Sequence, residues 1–414
     1  LRLAFVVQRY GLDIAGGAEY HCRLLAEHLA RHARVEVITT CAADYITWAN
    51  RYPEGVEQLN GVSVRRFNVK RPRDIEQFAA WSDRVFARHG RPDEADLDAA
   101  ARRALARQEL RWLEEEGPFS PRLVKHLAGH RRAHDFFIFF SYRYYTTYHG
   151  LLALRDRAVL VPTAEDDGVY RLSIFPPLFR APRAIAYNSI EERAMIQAAA
   201  RNESVPGVVV GIGSALPERL DPEAARRAQS LPERFALYIG RIDANKGCPQ
   251  LFDFWRRYRK QTGSPLTLLL VGQPVLEIPR DDGIRHLGFL SEQEKWDVLA
   301  ASELLVMPSR YESLSMVTLE AWWTEKPVLA NAKCAVLRGQ CLRSNAGLYY
   351  SNYEEFRETL ALLENHPQLR RALGRNGRRY FDENYAWSVI EGKYLELLGS
   401  LQAEDQRAGV HRSA

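Results

Sequence analysis

Short apolar runs alternate with helix-length amphipathic stretches along most of this 414-residue chain. Residues 3–7, Leu-Ala-Phe-Val-Val, are followed by helical periodicity over 18–32 and a second apolar run at 35–38, which predicts a βαβ unit. Further strands are predicted at 63–67, 136–140, 159–162, 184–187 and 208–210, so the first domain is expected to be a parallel sheet with helices on its faces. Ser189 and Glu192 have capping-box spacing and predict a helix start. Between the third and fourth strands lies a polar insertion at 71–134, rich in Arg, Glu and Ala. It is expected to be helical, serving as a lid, an acceptor platform or a cover for one sheet edge. Glycines and a proline at 211–217 (Gly-Ile-Gly-Ser-Ala-Leu-Pro) predict the interdomain linker.

A second alternation follows. Strands are predicted at 236–239, 266–271, 284–286, 304–307, 328–330 and 348–350, and helices near 248–261, 292–300, 316–324 and 353–363. The fold class is therefore α/β, with two doubly wound, Rossmann-like parallel-sheet domains facing a central cleft. Their expected bounds are 1–213 and 214–385. Helical periodicity at 367–384 and 387–401 ends the ordered chain, and the polar segment 403–414 is expected to be disordered.

Composition narrows the class. With 46% hydrophobic residues the chain can bury large cores, and its length favours two domains. No apolar run reaches the eighteen or so residues that a membrane span requires, and no signal-peptide pattern opens the chain, so a cytoplasmic protein is expected. Five cysteines without a Cys-x-x-Cys pair predict reduced thiols and no metal cluster. The net charge of +5 resides in residues 1–185, which hold 28 basic and 23 acidic side chains. Arg65-Arg66, Lys70-Arg71-Pro72-Arg73 and the stripe Arg103, Arg107, Arg111 suit either a solvated face balanced by Glu114, Glu115 and Glu116, or peripheral contact with anionic lipid at the inner face of the plasma membrane. Nucleic acid is not an expected partner, because the surplus is modest and no nucleic-acid module is present.

Open parallel sheets bind ligands beyond the carboxyl ends of their strands. After the 304–307 strand, the run 308–320 (Pro-Ser-Arg-Tyr-Glu-Ser-Leu-Ser-Met-Val-Thr-Leu-Glu) opens a helix, with seven residues between Glu312 and Glu320. A helix N-terminus presents unpaired amides and partial positive charge to an anion such as a diphosphate, while flanking carboxylates accept from neutral hydroxyls. At ~1.5 Å per helical residue, eight positions span at most ~12 Å in helix, enough for a diphosphate with a sugar at each end. After the 236–239 strand, Arg241 and Lys246 offer fixed positive charge to a departing diphosphate. Gly16-Gly17 permit close backbone approach after the first strand. Neither this loop nor 211–213 completes a Gly-x-Gly-x-x-Gly fingerprint, which argues against a nicotinamide oxidoreductase.

Taken together, the Glu-x7-Glu run 312–320, the segment 238–247 (Tyr-Ile-Gly-Arg-Ile-Asp-Ala-Asn-Lys-Gly) and the loop 15–19 (Ala-Gly-Gly-Ala-Glu) resemble glycosyltransferase family 4, the retaining enzymes of GT-B fold. The resemblance covers nearly the whole chain. It implies transfer of a sugar from a nucleotide-sugar co-substrate to a saccharide or lipid-linked acceptor in polysaccharide synthesis, without metal or other cofactor, by front-face displacement. It further implies that Glu320 accepts from the ribose, that Glu312 contacts the transferred sugar, and that Ser313 and the amides of Leu314, Ser315 and Met316 meet phosphate beside Gly16 and Gly17. In the family the last helix, here 386–402, crosses back to the first domain.

The pattern also has departures. Ser313 stands where many relatives have glycine. Glu165, in the run 163–167 (Thr-Ala-Glu-Asp-Asp), stands where many carry histidine before an aspartate, here Asp166. Tyr142 and His149 follow the 136–140 strand; Tyr142 is a candidate for sugar stacking or core packing, and His149 for acceptor or sugar contact or as a catalytic base. Arg338 follows another strand and is a candidate for phosphate or acceptor contact. Asp96-Leu97-Asp98 has the Asp-x-Asp form of metal-dependent transferases but falls within the helical insertion. Two other classes fit the same residues: a GT-B-fold binding subunit that transfers nothing, and a sugar-nucleotide epimerase.

Overall fold

The computed structural model describes residues 1–14, 16–86 and 97–409. The chain forms two compact units, one made of Leu1–Ile212 and the chain from Ile390 onward, the other of Gly213–Val389.

The first unit contains β1 (Arg2–Val6), β2 (Arg34–Thr40), β3 (Gly55–Leu59), β4 (Val62–Phe67), β5 (Phe136–Phe140), β6 (Ala158–Val161), β7 (Ala184–Tyr187) and β8 (Gly207–Val209), in the sheet order β3-β4-β2-β1-β5-β6-β7-β8. All pairs are parallel except β3–β4. Strand β5, Phe-Phe-Ile-Phe-Phe, is buried at every position, as a strand covered on both faces must be. The strand β3 was not expected. Its Gly-Val-Glu-Gln-Leu is mostly exposed and carries no apolar run, yet Asn60 and Gly61 adopt φ of +48° and +80°, the two-residue hairpin turn that an Asn-Gly pair favours.

The insertion is helical over Ile75–Phe86, Ala99–Glu116 and Pro121–Gly129. Trp112, Leu113, Leu123 and Leu127 enter the core beneath the sheet, so it covers that face. Arg103 and Arg107 are exposed, while Arg111 pairs with Glu114 at 2.6 Å and Glu115 at 2.9 Å, the solvated arrangement weighed above. Asp98 caps the helix Ala99–Glu116 through the amide of Ala101; Asp96 lies outside the described residues. The last helix, Trp387–Arg407, buries Tyr394, Leu398 and Leu401, and Glu391 accepts from His28 Nδ1 at 2.6 Å and His32 Nε2 at 2.8 Å. It reaches five residues past 402, so 403–407 is helical where an unstructured tail was expected.

The second unit contains β9 (Phe235–Ile239), β10 (Thr267–Val271), β11 (Ile284–His286), β12 (Leu304–Met307), β13 (Val328–Asn331) and β14 (Gly347–Tyr350), all parallel, in the order β11-β10-β9-β12-β13-β14. Progress along the sheet reverses between β9 and β12, and in the first unit between β1 and β5. At such a reversal the two following loops diverge and leave a crevice at the strand ends. The 240–247 and 308–315 loops thus meet at the switch point of the second sheet.

Two glycine substitutions separate backbone strain from packing. Gly61→Ala meets no atom within 4 Å and should cost about 1 kcal/mol through its positive φ alone. In Gly374→Ala the new Cβ would stand 2.0 Å from the Glu325 carbonyl oxygen, and about 3 kcal/mol is expected. Urea unfolding checks both values; equal losses would contradict the packing of the helix Pro367–Asn384 on that turn.

Candidate active site

In the second unit the site begins where β9 ends. Gly240 has φ of +150°, and Gly272, just beyond the neighbouring β10, comes so close that a Cβ there would lie 2.1 Å from the Gly240 carbonyl oxygen. The loop then folds on Asp243, whose carboxylate accepts from the Lys246 amide at 2.7 Å and from Arg241 Nε. Gly247, at φ of +79°, starts the helix Cys248–Thr262; a Cβ there would stand 2.3 Å from the Pro308 carbonyl oxygen, which also accepts from Asn331 Nδ2 at 3.0 Å. This close approach carries Lys246 across to the next loop, where its Nζ donates to Glu312 Oε1 at 2.8 Å.

That loop ends at Ser315, which adopts φ of +72° and caps the helix Met316–Trp323 without a side-chain hydrogen bond to its amides. Its hydroxyl meets Thr318 Oγ1 at 3.0 Å instead. A non-glycine residue in the left-handed region is uncommon and carries local strain. The first helical amides, beginning with Met316, have no partner within the helix. Glu320, one turn in, is 2% exposed. Its Oε1 accepts from Lys295 Nζ at 3.1 Å, and its buried Oε2 has no hydrogen-bond partner among the described residues. Burial pushes the Glu320 carboxyl up, against Lys295; burial likewise opposes the charge on Lys295, but Glu320 and Glu292 hold that ammonium above its ordinary value. Arg338 is exposed on the helix Ala335–Ser344, after β13.

The first unit places its candidates differently. Gly16 precedes the helix Gly17–Leu29 and packs on the buried Arg9–Glu19 ion pair, so a Cβ at Gly16 would collide with the Glu19 carboxylate. Glu19 in the first turn already answers the partial charge of that helix end; Gly17 has no atom within 4 Å of where its Cβ would be. Of the two readings for Tyr142 the structure shows core packing and not sugar stacking: it is 2% exposed and packs edge-on against Phe175 and obliquely against Phe179, inside the core. His149 is half-buried between the rings of Tyr145 and Tyr148, and burial lowers its pKa. Asp166 is exposed and accepts from Tyr170 Oη at 3.0 Å, while Glu165 is half-buried beside it.

Two residues directly beyond adjacent strands, Ser141 and Thr163, adopt φ of +62° and +50°, and their hydroxyls meet at 2.7 Å. The Ser189–Glu192 pair is only half a capping box. Ser189 accepts from the Glu192 amide at 3.1 Å, but the Glu192 carboxylate accepts from the amides of Asn188 and Ala164, each at 2.6 Å. It thereby ties the Glu165 loop to the end of β7. Burial pushes its pKa up to about 8, with Glu165 adding to the rise.

The sequence pattern did not single out Lys295, Asp243 or Arg9, and it marked Glu192 only as half of a capping box. Asp243 lies inside the quoted 238–247 segment, and Glu192 follows a strand end, so both had a positional signal. Lys295 sits in a helix whose exposed start, Glu292 to Glu294, reads as a solvated face. Nothing in the local pattern marks it.

Residues 222–380, nearly the whole second unit, match the family model described as Glycosyl transferases group 1. A "Glycosyltransferase 1 domain-containing protein 1" of Xenopus tropicalis is 29% identical over 124 residues, covering 29% of this chain and 35% of that protein. Such matches span about a third to a half of the length of the curated relatives. Over almost its full length the chain is similar to a sucrose-phosphate synthase from Thermosynechococcus elongatus, with a TM-score of 0.68, 17% identity and coverage of 97% of this chain and 99% of that one. The Anabaena protein HepE, solved in complex with UDP and glucose, gives 0.66, 16%, 96% and 99%. The chain therefore has the GT-B fold, and the family match supports glycosyl transfer as the chemistry of the second unit.

Glu192 supplies a pH test. Its folded pKa lies above that of an exposed glutamate, so its contribution to stability is complete below about pH 4.5 and is lost as pH rises through about 8. Glu192→Gln should remove that loss. Urea midpoints are expected to fall more between pH 5 and pH 8 in the wild type than in the variant; parallel profiles would contradict the assignment.

Proposed function

We propose that the protein is a retaining glycosyltransferase of family 4 type, transferring a sugar from a nucleoside-diphosphate sugar to a hydroxyl acceptor. The observation that carries this reading is the contact between Lys246 and Glu312 at the switch point of the second sheet, beside the uncapped tip of the helix Met316–Trp323. A cation, a carboxylate and a helix tip in one crevice match the needs of a sugar diphosphate. Lys246 and Arg241 would stabilise the diphosphate as it leaves, the amides of Leu314, Ser315 and Met316 with Ser313 would hold its oxygens, and Glu312 would exchange Lys246 for a sugar hydroxyl. Glu320 would accept from the ribose.

In the proposed front-face step the acceptor oxygen bonds to the anomeric carbon on the side from which the diphosphate departs. The bond to the diphosphate breaks, and a donor phosphate oxygen receives the acceptor proton. No protein base and no metal ion enter this scheme, since the two fixed cations supply the positive charge.

Acceptor binding is assigned to the first unit. Glu165, Asp166 and His149 are the retained candidates for acceptor or sugar contact, Gly16 and Gly17 for donor phosphate, and Arg338 of the second unit remains one for phosphate or acceptor. The proposed acceptor is a saccharide or lipid-linked saccharide in cell-surface polysaccharide assembly, reached from the cytoplasm at an anionic membrane face; the basic surplus of residues 1–185 supports that setting. Among the described residues no helix is long and apolar enough to cross a membrane.

UDP, found with the Anabaena protein, is the first nucleotide to try as donor base. Turnover against a panel of UDP-, GDP- and ADP-sugars should fall about a hundredfold or more in Lys246→Ala and in Arg241→Ala, with unfolding midpoints little changed. Undiminished transfer in both variants would contradict the proposal.

A further inference from the structure

We propose that Lys295 is a positioning residue of the nucleotide site: its ion pair with Glu320 Oε1 keeps that carboxylate charged and leaves Oε2 to accept from the vicinal hydroxyls of a ribose. This rests on the donor reading above and extends it to a residue that lies outside the Glu-x7-Glu and Arg/Lys segments.

An ionised carboxylate sealed from water is strongly destabilised unless it is paired and hydrogen-bonded. Glu320 is 2% exposed, and its Oε2 is buried without a partner among the described residues. Its other oxygen meets Lys295 Nζ at 3.1 Å. The ammonium is itself well sheltered, with 13% of the side chain exposed, and Glu292 Oε2 also holds it at 2.9 Å. The ring of Trp296 lies 5.4 Å from it. Lys295 and Glu292 are the charged groups that bear on Glu320. Such a carboxylate, paired on one oxygen and unsatisfied on the other, can accept from a further donor, as a ribose hydroxyl would supply. Without Lys295, burial would favour the protonated acid, which offers one acceptor fewer to a diol.

The test uses the full chain. First, ¹³C NMR follows the Glu320 carboxyl in the ligand-free protein, with Glu320→Gln identifying its signal. Second, calorimetry at pH 6.5 and pH 8.5 measures binding of whichever of UDP, GDP or ADP the wild type prefers, and of its 2′,3′-dideoxy counterpart. Lys295→Met should move the Glu320 titration upward and weaken the ribonucleotide at pH 6.5 about tenfold or more, with partial recovery at pH 8.5. Binding of the dideoxynucleotide should stay within about twofold of wild type. Lys295→Arg should return the ribonucleotide to within about threefold, and Lys295→Met should have no further effect in a Glu320→Gln background, where no buried charge remains to be held.

An equal loss for both nucleotides, or none for either, would overturn the role of Lys295 while leaving the donor reading intact. A wild type that binds no nucleoside diphosphate, although Lys295 still governs the Glu320 titration, would overturn the donor reading and with it the ribose role.

Discussion

The site of the second unit depends on one close approach. Gly247 lies so near the Pro308 carbonyl that no side chain fits between them, and Asn331 holds the same carbonyl from the end of β13. Three strand ends are thereby fixed to one another at the point where the sheet reverses direction. Everything chemical nearby follows from that contact. Lys246, one residue before Gly247, reaches Glu312, and the chain from Pro308 to Ser315 is left to end in an uncapped helix tip. A larger residue at Gly247 would separate the loops and the charges together, although none of those charges belongs to Gly247.

The second determinant is the pairing of charge under burial. Each charged group assigned to the donor has a counter-charge: Arg241 has Asp243, Lys246 has Glu312, and Glu320 has Lys295. Opposite charges a few ångströms apart offset much of the desolvation cost that either would incur alone. The pairs differ in what an arriving anion could do to them. Lys246 is partly exposed, so exchanging a carboxylate for a phosphate oxygen there keeps the cation satisfied. Glu320 and Lys295 are sheltered, which suits a fixed acceptor better than a group that changes partners.

Much of the fold was legible because parallel strands buried on both faces read as unbroken apolar runs, of which Phe136–Phe140 is the plainest. The strand β3 was not, since an exposed edge strand needs no apolar residues and only its Asn-Gly turn betrays it. The chain beyond 402 is polar yet helical to Arg407, because Leu401 and the residues before it are anchored by burial and the helix continues past them. In the site, residues that follow strands could be picked out as candidates by position, as Arg241, Lys246 and Glu312 were, while Glu320 was picked out by its spacing from Glu312. Position alone left Tyr142 open between sugar stacking and core packing, since a residue after a strand can turn inward as readily as outward. It gave no hint of Lys295, whose partner is 25 residues away in sequence and is brought near only by packing of two helices.

The most direct measurement is a crystal structure of the protein with the nucleoside diphosphate it binds most tightly. The account predicts diphosphate oxygens within hydrogen-bond distance of Lys246 and the amides of Leu314–Met316, and ribose hydroxyls on Glu320. A nucleotide seated elsewhere, with the Lys246–Glu312 contact undisturbed and Glu320 Oε2 still unpartnered, would contradict it.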